Sequence, residues 1–162
     1  MQHPQQSVSP PPNWPKSVYQ TEADFRKSFD AISDLDPIEG IWNINESGTW
    51  RNVNTGKSGK LKNPGNFYRI AIIRDNTRQN FQFQVVILES VHQHWKPGFI
   101  KAYLRKTAYY KIYDGVWYLS DFSEVRENYV IGENGLIEQH NIIYDPRNPN
   151  IELNHKTTSK SI

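Results

Sequence analysis

From Ile38 to near the end of the chain, apolar and polar residues recur with a period of two, and turn residues break the pattern at short intervals. Successive side chains of a strand point to opposite faces, so each run has one face for a core. The clearest is Phe81-Gln82-Phe83-Gln84-Val85; Tyr68, Ile70 and Ile72 alternate more loosely with Arg69, Ala71 and Ile73. Strands are expected near 38–45, 48–54, 66–74, 80–89, 99–106, 107–113, 115–121, 125–131, 135–144 and 150–156. The breaks are Asp75-Asn76, Pro97-Gly98, Asp114-Gly115, Glu133-Asn134-Gly135 and Asp145-Pro146. Asp114-Gly115 and Asn134-Gly135 suit tight hairpins, because type I′ turns need positive φ at both centres. Short links make neighbours antiparallel, and a long meander resolves its edges by closing on itself or folding into a sandwich, of which closure is favoured here. The expected fold is mainly β, an antiparallel up-and-down β-barrel of about eight to ten strands.

One stretch before the strands has the helical period. Thr21 suits an N-cap with Asp24 three residues on, and Phe25, Phe29 and Ile32 make one apolar stripe. Asp36-Pro37 is expected to end this helix, near 21–34, because proline pushes its predecessor out of the helical region. Its greasy face predicts packing on the end or wall of the β structure that follows, with one end of the barrel the favoured seat. Met1 to Tyr19 is rich in Gln, Pro and Ser and reads as a disordered or extended leader. The division expected is a leader over 1–19, a capping helix over 20–35, the barrel over 36–158 and a tail over 159–162. At the head of the first strand, Ile38, Gly40, Trp42 and Ile44 share a face. Gly40 is read as leaving room where backbones crowd, and Trp42 as a large plug whose indole N–H needs a partner.

Composition narrows the function classes. With 162 residues the chain is expected to form one domain. A net charge of +2 is a small electrostatic footprint, so nucleic acid is not expected as a partner. The absence of cysteine removes thiol catalysis and cysteine-ligated zinc. No apolar run approaches the roughly 20 residues of a membrane span. The leader resembles segments that follow a processed export signal as well as ordinary linkers, which favours a secreted or periplasmic setting without fixing it.

Gly40-Ile41-Trp42 on the first strand, a short helix before it and a meander after it resemble the calycin superfamily of lipocalins, fatty-acid-binding proteins and avidins. Ser120-Asp121-Phe122 is similar to the Thr-Asp-Tyr turn between late lipocalin strands. The resemblance implies a small-ligand barrel. The chain departs from it in lacking a C-terminal helix, and in placing its helix before the first strand. Ile38-Glu39-Gly40-Ile41-Trp42 and Trp95-Lys96-Pro97-Gly98 are also similar to segments of uncharacterised bacterial barrel domains.

Several motifs bear on chemistry. His92-Gln93-His94 has the spacing of a metal pair, with His140, His155 or a carboxylate as a third ligand, but reads better as solvated loop; no metal and no cofactor is expected. Gly56-Lys57-Ser58-Gly59-Lys60 lacks the first glycine of a phosphate loop, since Arg51 stands there, and reads as a basic hairpin tip. Arg105, Lys106, Tyr109, Tyr110, Lys111 and Tyr113 interleave base and ring, as single-strand binders and barrel walls both do. Glu124 and Glu127 read as surface, and Asn45-Glu46-Ser47 fits a glycosylation acceptor. No Gly-x-Ser-x-Gly elbow occurs, and an enzyme is not expected.

The richest aromatic stock is Tyr103, Tyr110, Trp117, Tyr118, Phe122 and Tyr129. These rings either line a pocket with hydroxyls at its rim or fill the interior. The first alternative predicts a non-catalytic barrel binding a small apolar or amphipathic molecule, with Gly40 and Trp42 structural. The second predicts a solid barrel that binds another protein or domain, around Trp95 and the helix.

Overall fold

The computed structural model describes residues 10–19, 21–60, 68–119, 121–133, 135–145 and 148–161. Among them, helix α1 (Glu22–Asp30) precedes nine strands: β1 (Gly40–Asn52), β2 (Ser58–Lys60), β3 (Tyr68–Arg74), β4 (Phe83–Ser90), β5 (Ile100–Lys106), β6 (Ile112–Tyr118), β7 (Glu124–Ile131), β8 (Leu136–Asp145) and β9 (Asn148–Ser161). The expected antiparallel up-and-down arrangement is present. Strands β1 and β3 to β7 curl into a half-barrel, and β8 and β9 continue the meander until β9 pairs with β1 from Trp42 to Asn52. Strand β2 is the return of a hairpin from β1, with the Gly56 tip in the left-handed region at φ +74°.

Residues opposite one another in an antiparallel ladder share a face. One face carries the rows Gly40, Ile72, Val85, Ala102 and Trp117, then Arg74, Phe83, Leu104 and Gly115, then Lys106, Tyr113 and Tyr129. This is the inner face. Its side chains Trp42, Ile44, Ile70, Ile72, Phe83, Val85, Ile87, Ala102 and Leu104 are only 0–2% exposed, so these rows are packed against other atoms.

Helix α1 sits elsewhere than over an end. Phe25 and Phe29 pack with Ile41, Ala71, Ile73, Val86 and Leu88, the residues that alternate with the inner rows, so the helix lies on the outer wall of β1, β3 and β4. Arg69 on that wall pairs with Glu22 and donates to Asn43 Oδ1 at 3.1 Å. This explains the continuous apolar runs of β3 and β4: both faces are covered. Thr21 Oγ1 accepts from the Asp24 N–H at 3.2 Å, the expected cap. The helix stops at Asp30, before Asp36-Pro37, and Ile32 is only half-buried beyond it.

Four further expectations do not hold. Asp114-Gly115 is no hairpin: both residues lie inside β6, and the turn is 107–111, so no strand spans 107–113. Gly115 is needed for closeness, because a Cβ there would stand 2.6 Å from the Tyr103 carbonyl oxygen. Gly40 is the opposite case, with nothing within 4 Å of a Cβ but φ at +148°, so its backbone and not crowding demands glycine. The leader is not disordered throughout, since residues 14–17 dock on β5 and the loop before it, and β9 runs through Ser159 and Lys160 into the expected tail. Residues 1–9, 66–67, Ser120, Asn134 and Pro146, which carry other sequence expectations, lie outside the described residues, as do the side chains of Asn45, Glu46, Ser47, His140 and His155.

Candidate functional site

The end of the barrel where β1 begins is sealed by the incoming loop. Trp42 Nε1 donates to the Ile38 carbonyl at 2.9 Å inside the barrel, giving the indole its partner. Glu39 is buried, and the Arg74 guanidinium grips it with Nε at 2.9 Å and Nη2 at 2.6 Å from Oε1. Asp36 receives the Tyr113 hydroxyl, the Ile38 N–H at 3.1 Å and the Lys106 ammonium at 3.1 Å. Burial alone would raise the Asp36 carboxyl, but these donors outweigh it and hold it below the usual carboxylate range. Burial, then the Asp36 carboxylate, pushes the Tyr113 phenol far up. Each carboxylate is matched by inward residues at the strand ends, which is what a seal requires.

Outside this seal lie two adjoining clefts, of about 570 and 300 Å³, that share Asp36 and Lys106. The larger runs past Leu35, Arg74, Asp75 and Gln82, and the smaller lies under the 107–111 loop. That loop is braced from within. Thr107 Oγ1 donates to the Ile112 carbonyl at 2.7 Å and accepts from the Tyr109 N–H at 3.2 Å, while Lys111 holds φ at +63°. At its tip Tyr109 and Tyr110 are 72% and 79% exposed, with the Lys111 ammonium 5.5 Å from the Tyr110 ring centre.

The opposite end is aromatic. Trp95, from the loop before β5, stacks on Phe122 at 4.5 Å, and Trp14 meets Tyr118, Phe122 and Trp95 edge-on at 4.8, 4.9 and 5.7 Å. Beneath them is a buried cation. A bulge in the β4–β5 ladder sets Val85 against Ala102 and Val86 against Ile100, with Lys101 the extra residue between them. Its ammonium, in a residue only 1% exposed, lies 3.7 Å from the Trp95 ring centre and 5.2 Å from those of Tyr68 and Trp117, and donates to the Tyr118 carbonyl. Two nearby polar atoms, Trp95 Nε1 and His92 Nε2, are buried without a hydrogen-bond partner among the described residues.

The six rings singled out in the sequence therefore do not line one pocket. Trp117 and Tyr129 are on the inner face, 6.5 Å apart, whereas Tyr103 and Tyr118 are opposite in face and look outward. Arg78 lies over Tyr103 at 4.8 Å and donates to the Tyr118 hydroxyl at 2.7 Å, closing the outside of β5 and β6. Phe122 belongs to the aromatic end, and Tyr110 stands on the surface at the other. Trp95 is buried too, so the surface expected around it is not there. Gln84, a polar position of the strictly alternating run 81–85, is buried and donates to Thr77 Oγ1 at 3.1 Å under the same cover. Sequence reading missed Lys101, signalled by a lone charge within Phe99-Ile100-Lys101-Ala102-Tyr103-Leu104, and Trp14, the one aromatic in a proline tract.

Burial first, then Lys101 and His94, holds the His92 imidazole below its ordinary value. The unfolded chain therefore takes up this proton more readily than the folded one. Stability from His92 is complete above the unfolded value of about 6.5 and declines as pH falls from there towards the lowered folded value. The urea midpoint is expected to drop between about pH 7.5 and 5.5, and to drop less in His92→Gln. An equal drop in both proteins would assign the effect to other groups.

Among the described residues, no group of three or more His, Cys, Asp or Glu side chains is placed to hold a metal ion, and no helix is long and apolar enough to cross a membrane. Comparison with protein-family models, curated proteins and solved structures finds no match to this chain.

Proposed function

We propose that this chain is a non-catalytic interaction module, a solid barrel that engages another protein through the 107–111 loop and the clefts beside it. The observation that carries the reading is the pair Tyr109 and Tyr110, 72% and 79% exposed on a braced loop. A tyrosine offers a large amphipathic surface at small entropic cost, which is why tyrosine dominates binding hot spots. Leu35 and Val130, also exposed, stand at the same end of the barrel. The packed inner rows support a solid interior over a hollow ligand carrier. The mutual pairing of Asp36, Glu39, Arg74, Lys106 and Tyr113 supports a structural role for these charges. A calycin-like origin is part of the same proposal, supported by the conformation of Gly40 and the plug formed by Trp42.

A photo-crosslinking side chain at position 110, in cells of the source, is expected to capture one discrete polypeptide. The same group at Val53, exposed on the hairpin beyond the other end, is expected to capture none. The double variant Tyr109→Ala, Tyr110→Ala is expected to change folding stability by less than about 0.5 kcal/mol and to weaken the captured complex by at least about 30-fold. Equal capture at both positions would overturn the reading. So would native mass spectrometry showing a co-purified small molecule and no captured protein, which would favour an amphipathic ligand at the polar atoms around Lys101.

A further inference from the structure

We infer that the aromatic end of the barrel is a peptide-acceptor site, and that its occupant in an assembly is the Trp14-Pro15-Lys16-Ser17 segment of a second copy of this chain. Within one chain this segment is bound as a peptide ligand is bound. Its backbone adds to the start of β5: the Ile100 N–H donates to the Pro15 carbonyl at 3.0 Å, the Ser17 N–H donates to the Gly98 carbonyl at 2.8 Å, and Lys16 bridges antiparallel to Phe99. Its anchor is Trp14, whose Nε1 donates to the Ile100 carbonyl at 3.0 Å while its ring enters the slot between Tyr118, Phe122 and Trp95. Strand addition supplies affinity and a pocket for one side chain supplies specificity, the general pattern of extended-peptide recognition.

These contacts are all made to residues more than 75 positions away in sequence, as the Trp14 to Ile100 separation of 86 illustrates, so the slot does not distinguish its own segment from a neighbour's. The tether is short and outward. Val18 is 87% exposed, and Tyr19 beyond it is held by the helix, 5.5 Å from the Phe25 ring. Opening at Val18 frees residues 14–17 without disturbing α1 or the strands. Reciprocal exchange between two copies restores the contacts to β5 and to the three rings, and closes as a two-fold dimer. The covalent tether gives the chain's own segment an effective concentration of the order of millimolar, so exchange requires high protein concentration or a disabled segment. This site is at the opposite end from Tyr109 and Tyr110, and its failure would leave the proposed function untouched.

The test uses full-length protein. Trp14→Ala empties the slot, and a labelled peptide of residues 10–19 is titrated by fluorescence anisotropy. The variant is expected to bind it at least about 30-fold more tightly than the wild type, whose own segment competes. A peptide with alanine in place of Trp14 is expected not to bind. Native mass spectrometry of the wild type is expected to show a dimer growing towards about 1 mM, and Trp14→Ala to stay monomeric. Should Trp14→Ala not fold, Trp14→Phe, which keeps an aromatic ring in the slot but loses the hydrogen bond to Ile100 and part of the indole's bulk, serves with the same expectations at smaller size. A folded variant that binds neither peptide, or both alike, would overturn the acceptor site. A wild type monomeric throughout that range would overturn the second copy as its occupant.

Discussion

Arg74→Ala is expected to destabilise the fold by about 3 kcal/mol, with the urea midpoint falling and the slope unchanged. The cost comes from what the substitution leaves behind. The Glu39 side chain is 0% exposed, whereas Arg74 is 44% exposed, so the variant keeps the buried charge and loses its counterion. Breaking one partner of a buried pair costs about 3–5 kcal/mol, and the lower end applies because Glu39 retains the Asp36 N–H at 3.1 Å and the Arg74 backbone N–H at 3.4 Å. Adding Glu39→Gln removes the stranded charge and is expected to recover more than half of the loss. If that second substitution deepens the loss instead, packing of the arginine stem and not the charge is what Arg74 contributes. For a domain whose whole stability is about 5–15 kcal/mol, this single ion pair matters.

Trp42→Ala is expected to be at least as damaging, at about 3–5 kcal/mol for the cavity, with a further cost of about 1–3 kcal/mol for the Ile38 carbonyl left without its donor inside the barrel. Trp42 is 2% exposed and lies opposite Ile70, with Ile44 and Ile72 close by on the same face; all three are buried and cannot collapse far. Trp42→Phe largely separates the two contributions, since it keeps most of the apolar volume while removing the N–H. It is expected to lose less than half as much in a denaturant titration. A phenylalanine variant as unstable as the alanine one would mean that the hydrogen bond, and not the plug, dominates.

Both predictions concern residues that announced themselves differently. Trp42 stood out in the sequence because a period-two run began around it, and its face followed directly. Glu39 and Arg74 are 35 positions apart, and nothing in either neighbourhood hinted that they meet. The same contrast holds for the aromatic residues. Their abundance was plain, but Tyr103 and Trp117, both in apolar strands, point to opposite sides of the wall. Since the N-terminal segment and the Arg78 loop cover the outside of β5 and β6, both faces are apolar there, and alternation loses its power to say which is inner. Asp114-Gly115 misled for a related reason. A glycine demanded by the closeness of a neighbouring strand has the same letter as one demanded by a turn.

The amino-acid sequence by itself determined the mainly β architecture, the meander, the helix cap at Thr21 and the inward face around Trp42. These rest on local backbone preferences and on periodicity, which act between residues a few positions apart. Only the tertiary structure decided the seat of α1 on the outer wall, the burial of Lys101 among three rings, the docking of Trp14 and the isolation of Tyr109 and Tyr110 at the surface. Those depend on which strand lies beside which and in what register, and a ladder shifted by one residue would exchange the two faces of every strand.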